Sequence, residues 1–161
     1  IPFKMKTYNI LTIEEFKKNI DNNSRLLGID PGKKNIGVAI CDENKAIATP
    51  LKIIKKNKFQ ILLKEIQNII KENDIKGVVI GYPINMDGSI GKSAHSARDF
   101  AKNLSKNITI PITLWDERLS TVGAFKMMKD LNINVSSKVK NLDKNAAAFM
   151  LQGAINYLTN K

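Results

Sequence analysis

Asp30, the adjacent pair Asp116 and Glu117, and Asp143 stand at three places where a carboxylate can do chemistry rather than merely meet solvent. Asp30 ends the apolar run "LLGID" just before a Pro-Gly break. In open α/β sheets ligands gather at the carboxyl ends of strands, which suits an acid in that position. Asp-Pro-Gly is also ordinary turn chemistry, so Asp30 alone decides nothing. In "WDERLST", Asp116 and Glu117 close a second apolar run, with Arg118 beside them as a partner for end-of-strand charge. Successive strand side chains face opposite ways, so one of the two acids points at any shared site. Asp143 precedes the Ala-rich stretch "NAAAFMLQGAINYL". An N-cap aspartate there is worth about 1 kcal/mol. Ala146, Ala147 and Ala148 would let that helix pack close against a sheet, carrying Asp143 toward the strand ends.

Each acid is weak by itself, and the arrangement is stronger. Carboxylates without His or Cys partners suit hard, oxygen-seeking cations such as Mg²⁺ or Mn²⁺. One or two such ions would relieve repulsion among the acids. Two ions about 3.5–4 Å apart can clamp the attacking and leaving oxygens of a phosphodiester.

The elements that must position these acids are legible in the pattern of apolar residues. "RLLGID", "NIGVAICD" and "AIATPLKII" are three consecutive strands, with a turn at residues 42–45. In "KFQILLKEIQNIIKEN", Phe59, Leu62, Leu63, Ile66, Ile69 and Ile70 recur at helical spacing. "GVVIGYP" has so little polarity that it reads as a strand buried on both faces. A helix over residues 93–105, the strand "PITLWDE" and a helix over residues 121–131 come next, and the last helix starts near Asp143. Three strands and then alternating helix and strand predict an α/β fold with a mixed five-stranded sheet. A three-strand antiparallel meander occupies one side, and parallel strands joined by crossover helices occupy the other. Residues 1–24 read as an N-terminal extension, with a short helix signalled by the capping box Thr12 to Glu15, and residues 25–161 as the domain.

The chain has 161 residues, 43% hydrophobic and 25% charged, which suits one globular domain with a core that needs no disulfide. No apolar run approaches the roughly 18 residues of a membrane span, and no signal-peptide pattern opens the chain. The one cysteine, Cys41, sits in a strand-like run and fits a buried thiol in a reducing cytoplasm. Net charge is +11, and residues 1–24 hold four lysines against three acids, so the excess belongs to the domain. Such charge favours polyanions through counterion release. Only three of the 26 basic residues are Arg, so compositional drift toward Lys explains the charge equally well.

Four stretches in order, "GIDPGKKNIGVA", "GYPINMDGSIG", "DERLSTVGA" and "LDKNAAAFMLQ", resemble the YqgF/RuvX family. That family is described as Holliday junction resolvases and as nucleases maturing the small-subunit (16S) ribosomal RNA precursor. The resemblance covers residues 25–158 and implies a ribonuclease H-like fold related to that of the RuvC resolvases. It implies that Asp30, Glu117 and Asp143 are the catalytic, metal-binding acids, with Gly32 and Gly37 on the first motif's glycines. Ser120, Thr121 and Ala124 continue the third motif. An arginine usually precedes the "IGVA" strand in this family, whereas here Asn35 stands there. The basic contact to phosphate is then either lost or supplied by Lys33 or Lys34.

Further residues suit a nucleic-acid backbone. Gly88, Gly91, Lys92 and Ser93 can offer amides and charge at a helix start, although "GSIGKS" is no Walker motif, because Met86 stands where its first glycine belongs. Arg118 is a candidate for phosphate contact. Trp115 and His95 read first as a core residue and a surface residue. These features predict a divalent-metal-dependent nuclease, a hydrolase of phosphodiester bonds in an rRNA precursor or branched DNA. Branched DNA would suit a homodimer cutting two strands, and rRNA processing requires no such symmetry. Two other classes compete: a catalytically silent basic nucleic-acid scaffold, and an actin- or sugar-kinase-like ATPase. The last usually needs a second similar domain, for which the chain has no room.

Overall fold

The computed structural model describes residues 9–119 and 136–159, with side chains over 9–119 and 145–159. Its strands are β1 (Ile10–Leu11), β2 (Arg25–Pro31), β3 (Asn35–Cys41), β4 (Ala48–Lys55), β5 (Ile75–Tyr82) and β6 (Ile112–Asp116). The helices are α1 (Ile13–Asn19), α2 (Phe59–Glu72), α3 (Lys92–Ser105) and α4 (Ser136–Thr159), with a 3₁₀ turn at Glu117–Leu119. The strands form one sheet in the order β1-β6-β5-β2-β3-β4. β2, β3 and β4 are antiparallel neighbours, and β1, β6, β5 and β2 run parallel.

Both faces of the sheet are covered, which is why β5 is apolar almost throughout. Alternation along the strands divides the core in two. Leu27, Ile29, Ile36, Val38, Val78 and Ile80 face α2 and α3, where Leu62, Leu63, Ile66 and Leu104 meet them. Leu26, Ala39, Cys41, Val79 and Trp115 face α1 and α4, against Phe16, Met150, Leu151 and Ile155. Two glycines let α4 lie close on the second face. A Cβ at Gly28 would fall 2.9 Å from that of Leu151, and one at Gly37 would fall 3.3 Å from that of Ala147.

Two expectations are corrected. Among the described residues the sheet has six strands rather than five, because Ile10 and Leu11 pair with Ile112 and Thr113. A strand of two residues leaves no periodicity to read. It is placed by Asn9, whose side-chain amide donates to the carbonyls of Ile108 (3.0 Å) and Ile110 (3.1 Å). The last helix begins at Ser136, so Asp143 lies about two turns inside it and is not its N-cap. Nothing in "SSKVKNL" stops a helix: it has no Gly or Pro, and Lys and Leu are good helix formers. The helix expected over residues 121–131 lies outside the described residues.

The described part of the segment before Arg25, residues 9–24, is built into this core. Its capping box forms as expected, with the Glu15 amide donating to Thr12 Oγ1 and the Thr12 amide to Glu15 Oε1. Phe16 is fully buried, resting on the space left by Gly77, where a Cβ would fall 2.8 Å from Phe16 Cζ. Buried Lys45 holds the connection to β2, its ammonium donating to the carbonyls of Asp21 (2.9 Å) and Asn22 (2.8 Å). Phe16→Ala is therefore expected to cost about 3–5 kcal/mol of global stability, as for other buried aromatics. Urea titration would read this as a lower midpoint at constant slope. A loss below about 1 kcal/mol would mean that the segment is dispensable to the core.

Candidate active site

Asp30 and Glu117 come from β2 and from the turn after β6, the two strands that flank β5. Neighbouring strands lie about 4.8 Å apart, so the two backbones are separated by roughly twice that distance. The acids meet because Gly81 of β5 lies between them. A Cβ at Gly81 would fall 2.8 Å from Glu117 Oε2 and 3.2 Å from Asp30 Oδ1. Any side chain there would fill the space that the two carboxylates share. On its other side Asp30 faces Gly37 across the β2–β3 ladder. A Cβ at Gly37 would lie 3.9 Å from that of Asp30. Two glycines thus clear the surroundings of one aspartate.

The neighbouring acids 116 and 117 divide their work as strand alternation requires. Asp116 accepts from Arg118 three ways: from Nη2 at 2.7 Å, from Nε at 3.1 Å and from the backbone amide at 3.0 Å. These bonds, chiefly those of the guanidinium, hold the Asp116 carboxyl below the usual carboxylate range. The same ring of bonds fixes the 3₁₀ turn, and Glu117 turns inward, with 4% of its surface exposed.

Asp30 and Glu117 both line a cleft of about 380 Å³ at the carboxyl edge of the sheet. Lys33, Lys56 and Lys92 reach it from three different elements, over a lining that includes Ile36, Leu62 and Phe100. The turn carrying Lys33 depends on Gly32, whose amide donates to the Asn35 carbonyl at 2.9 Å. A Cβ at Gly32 would lie 2.5 Å from that same oxygen, so the turn admits glycine alone without a backbone shift. Lys92 is the first residue of α3, whose N-cap, Gly91, makes no side-chain cap, and no acid occupies its first turn. The unsatisfied amides and the helix dipole there favour an anion, and Ser93 and Ser96 of α3 also line the cleft.

The other expected residues are more scattered. Lys34 is exposed beside the cleft, and its carbonyl accepts from the Lys56 amide at 3.0 Å. Arg118 is exposed and engaged with Asp116. Trp115 is buried, edge-to-face with Tyr157 at 5.6 Å, so it is core and offers no ring to a base. His95 is exposed, with Nδ1 accepting from Arg98 at 3.0 Å. The side chain of Asp143, and Ser120, Thr121 and Ala124 entirely, lie outside the described residues. Among the described residues no group of three or more His, Cys, Asp and Glu side chains converges. Lys56, which lines the cleft, and Gly81, between the two acids, are positions that the sequence alone does not single out. Gly81 carries a signal nonetheless, since glycine inside an apolar strand marks a close approach.

Comparison with known proteins shows the family. The family described as "RuvX: Holliday junction resolvase" matches residues 24–157. A protein of Pelagibacter ubique named "Putative pre-16S rRNA nuclease" is 54% identical over 94% of this chain and all of its own length. One of the same name from Rhodobacter capsulatus is 42% identical over 91% of this chain and 92% of its own. Among solved structures, Thermus thermophilus RuvC in complex with a Holliday junction substrate superimposes with a TM-score of 0.51. At 13% identity, covering 85% of this chain and 96% of that one, it shows the ribonuclease H-like fold alone. Matched along nearly its whole length, with both described acids inside the matched region, the chain belongs to the RuvX family.

Proposed function

We propose that this protein is a divalent-metal-dependent nuclease, hydrolysing phosphodiester bonds of structured nucleic acid. The observation that carries the reading is the meeting of Asp30 and Glu117 over Gly81, in a cleft that three lysines also line. Two carboxylates brought together in a space kept clear by glycines, with no His or Cys in the cleft lining, fit Mg²⁺ or Mn²⁺. Asp30 and Glu117 would hold it, and Asp143 is proposed as the third acid. Position 143 is one turn before Ala147, which packs on Gly37 opposite Asp30. Leu151, one turn further on, packs on Gly28, deeper in β2. Followed backward, α4 therefore runs toward the carboxyl end of β2. When bound, such a cation polarises phosphoryl oxygens and stabilises the charge that develops in hydrolysis.

The chain's own groups supply the rest. Lys33 and Lys92, with the first turn of α3, hold the substrate phosphates against the acids, and Lys34 and Arg118 extend the basic rim. The net charge of +11 draws the polyanion in and makes its binding salt-sensitive. Ile36, Leu62 and Phe100 keep one side of the cleft apolar, which strengthens the charge interactions within it. The substrates that agree with the names of the relatives and of the family are the 16S rRNA precursor, cut on this reading at its 5′ end, and the four-way DNA junction. The setting is cytoplasmic, where Cys41, buried and free, stays reduced. None of the helices in the described residues is long and apolar enough to cross a membrane.

Incubation with a precursor rRNA fragment and with a four-way DNA junction, in Mg²⁺, in Mn²⁺ and in EDTA, tests the reading. Metal-dependent cleavage of one substrate is expected, and the one that is cut names the physiological class. Salt-sensitive binding of either without cleavage in any metal would replace the nuclease by a binding scaffold.

A further inference from the structure

The cleft contains more than a pair of acids and a basic rim. Its cations sit on opposite sides of an apolar patch. Lys92 opens α3, which comes after β5, whereas Lys56 comes after β4, at the edge of the sheet two strands beyond β2. Ile53 lies level with Asp30 through Gly37, and Lys56 is three residues further along, so strand spacing and rise put its backbone roughly 14 Å from that of Asp30. Between them lie Ile36 on β3, Leu62 on α2 and the half-buried ring of Phe100 on α3, all lining the same cleft. Phe100 is held in place by Phe59, edge-to-face at 6.0 Å.

Lys56 is well anchored for an exposed lysine. Its amide donates to the Lys34 carbonyl at 3.0 Å, continuing the ladder in which Asn35 pairs with Lys55. Among the described residues neither Lys56 nor Lys92 takes part in a salt bridge. The cleft therefore has an apolar patch with an ammonium on either side and the two acids at one end.

We propose that the cleft is a subsite for one unpaired nucleotide. Its base lies against Ile36, Leu62 and Phe100, one flanking phosphate sits at Lys92 and the acids, and the next sits at Lys56. The scissile phosphate is the one at the acids, and in that detail the proposal rests on the nuclease reading. The substrate strand then runs along the carboxyl edge of the sheet, from α3 past β2 to the end of β4. A paired, stacked base cannot present its face to Phe100, so the subsite selects a single strand at this position. Stacking on an aromatic ring and neutralisation of a phosphate are the two usual means by which proteins hold single strands.

The test is equilibrium binding, by fluorescence anisotropy, of a short labelled RNA, as a single strand and as a duplex of the same sequence. It uses full-length Asp30→Asn protein in EDTA, so that binding is read with cleavage silent. The single strand is expected to bind at least about tenfold more tightly than the duplex. Adding Lys56→Ala is expected to weaken single-strand binding about tenfold and to reduce the salt slope by about 0.7, the loss of one phosphate contact. Phe100→Leu, which keeps the core filled, is expected to weaken it about fivefold with no change in slope. Lys64→Ala, an exposed lysine elsewhere on α2, serves as the control and should change neither. Equal affinity for the duplex, or the same effect from Lys56→Ala as from Lys64→Ala, would overturn the subsite. Because binding is measured without metal, these outcomes stand whether or not the wild-type protein cuts RNA.

Discussion

Asn in place of Asp30 is expected to leave a folded protein whose metal-dependent cleavage is slower by at least about 10³-fold, the scale of losing one essential charged contact at a reacting centre. The substitution changes one oxygen to an amide and keeps the shape. Asp30 is half-buried at the end of β2, outside the two apolar clusters, so the melting temperature should move by no more than about 4 °C. The amide cannot replace the carboxylate toward a hard cation. A second readout separates this role from a structural one. Mg²⁺ at about 100 times its dissociation constant should stabilise the wild-type protein by about 2.7 kcal/mol, and this gain should vanish in Asp30→Asn. Cleavage within tenfold of wild type, or an undiminished Mg²⁺ effect on melting, would remove Asp30 from the metal site.

Gly81→Ala should be nearly as damaging to activity although residue 81 carries no chemistry. Its Cβ would fall 2.8 Å from Glu117 Oε2 and 3.2 Å from Asp30 Oδ1. Those atoms are the ends of side chains, so they yield before the backbone of β5 does. Glu117 is buried and has little room to retreat, which forces the two carboxylates apart. A displacement of about 1 Å at a reacting centre costs about 10²-fold, and that is the expected loss in kcat. Circular dichroism should show a native fold, and the apparent affinity for Mn²⁺, titrated by calorimetry, should fall in parallel. Normal kcat in a folded Gly81→Ala protein would show that the acids need not share this space.

Much of this architecture is readable from the residues because the relevant signals are local. The α2 face repeats at helical spacing, β5 is apolar without alternation, and Asp30 sits at a Pro-Gly break; each is a pattern within a short window. The features that escape depend on distant partners. Ile10 and Leu11 become a strand only because β6 offers them an edge. Asp143 reads as a helix start because the alanines at 146, 147 and 148 give the strong helical signal, while "SSKVKNL" is compatible with helix or loop until packing decides. Lys56 is one lysine among many until the β3–β4 pairing brings its amide to the Lys34 carbonyl. Gly81 can be flagged as a close approach, but nothing short of the sheet order says that two acids meet above it.

That sheet order carries a consequence for biosynthesis. The pair of acids joins an early segment to a late one, and the strand between them pairs in parallel with both neighbours. Parallel pairings join residues far apart in sequence and form late and slowly in folding. A nascent chain that has released β2, β3 and β4 from the ribosome holds a complete hairpin meander and Asp30, but not Glu117. The pair Asp30 and Glu117 then forms in one step, when β6 docks on β5, and α4, which carries Asp143, follows later still. A nuclease made on ribosomes, surrounded by nucleic acid, thereby lacks its paired acids until its own synthesis is nearly finished.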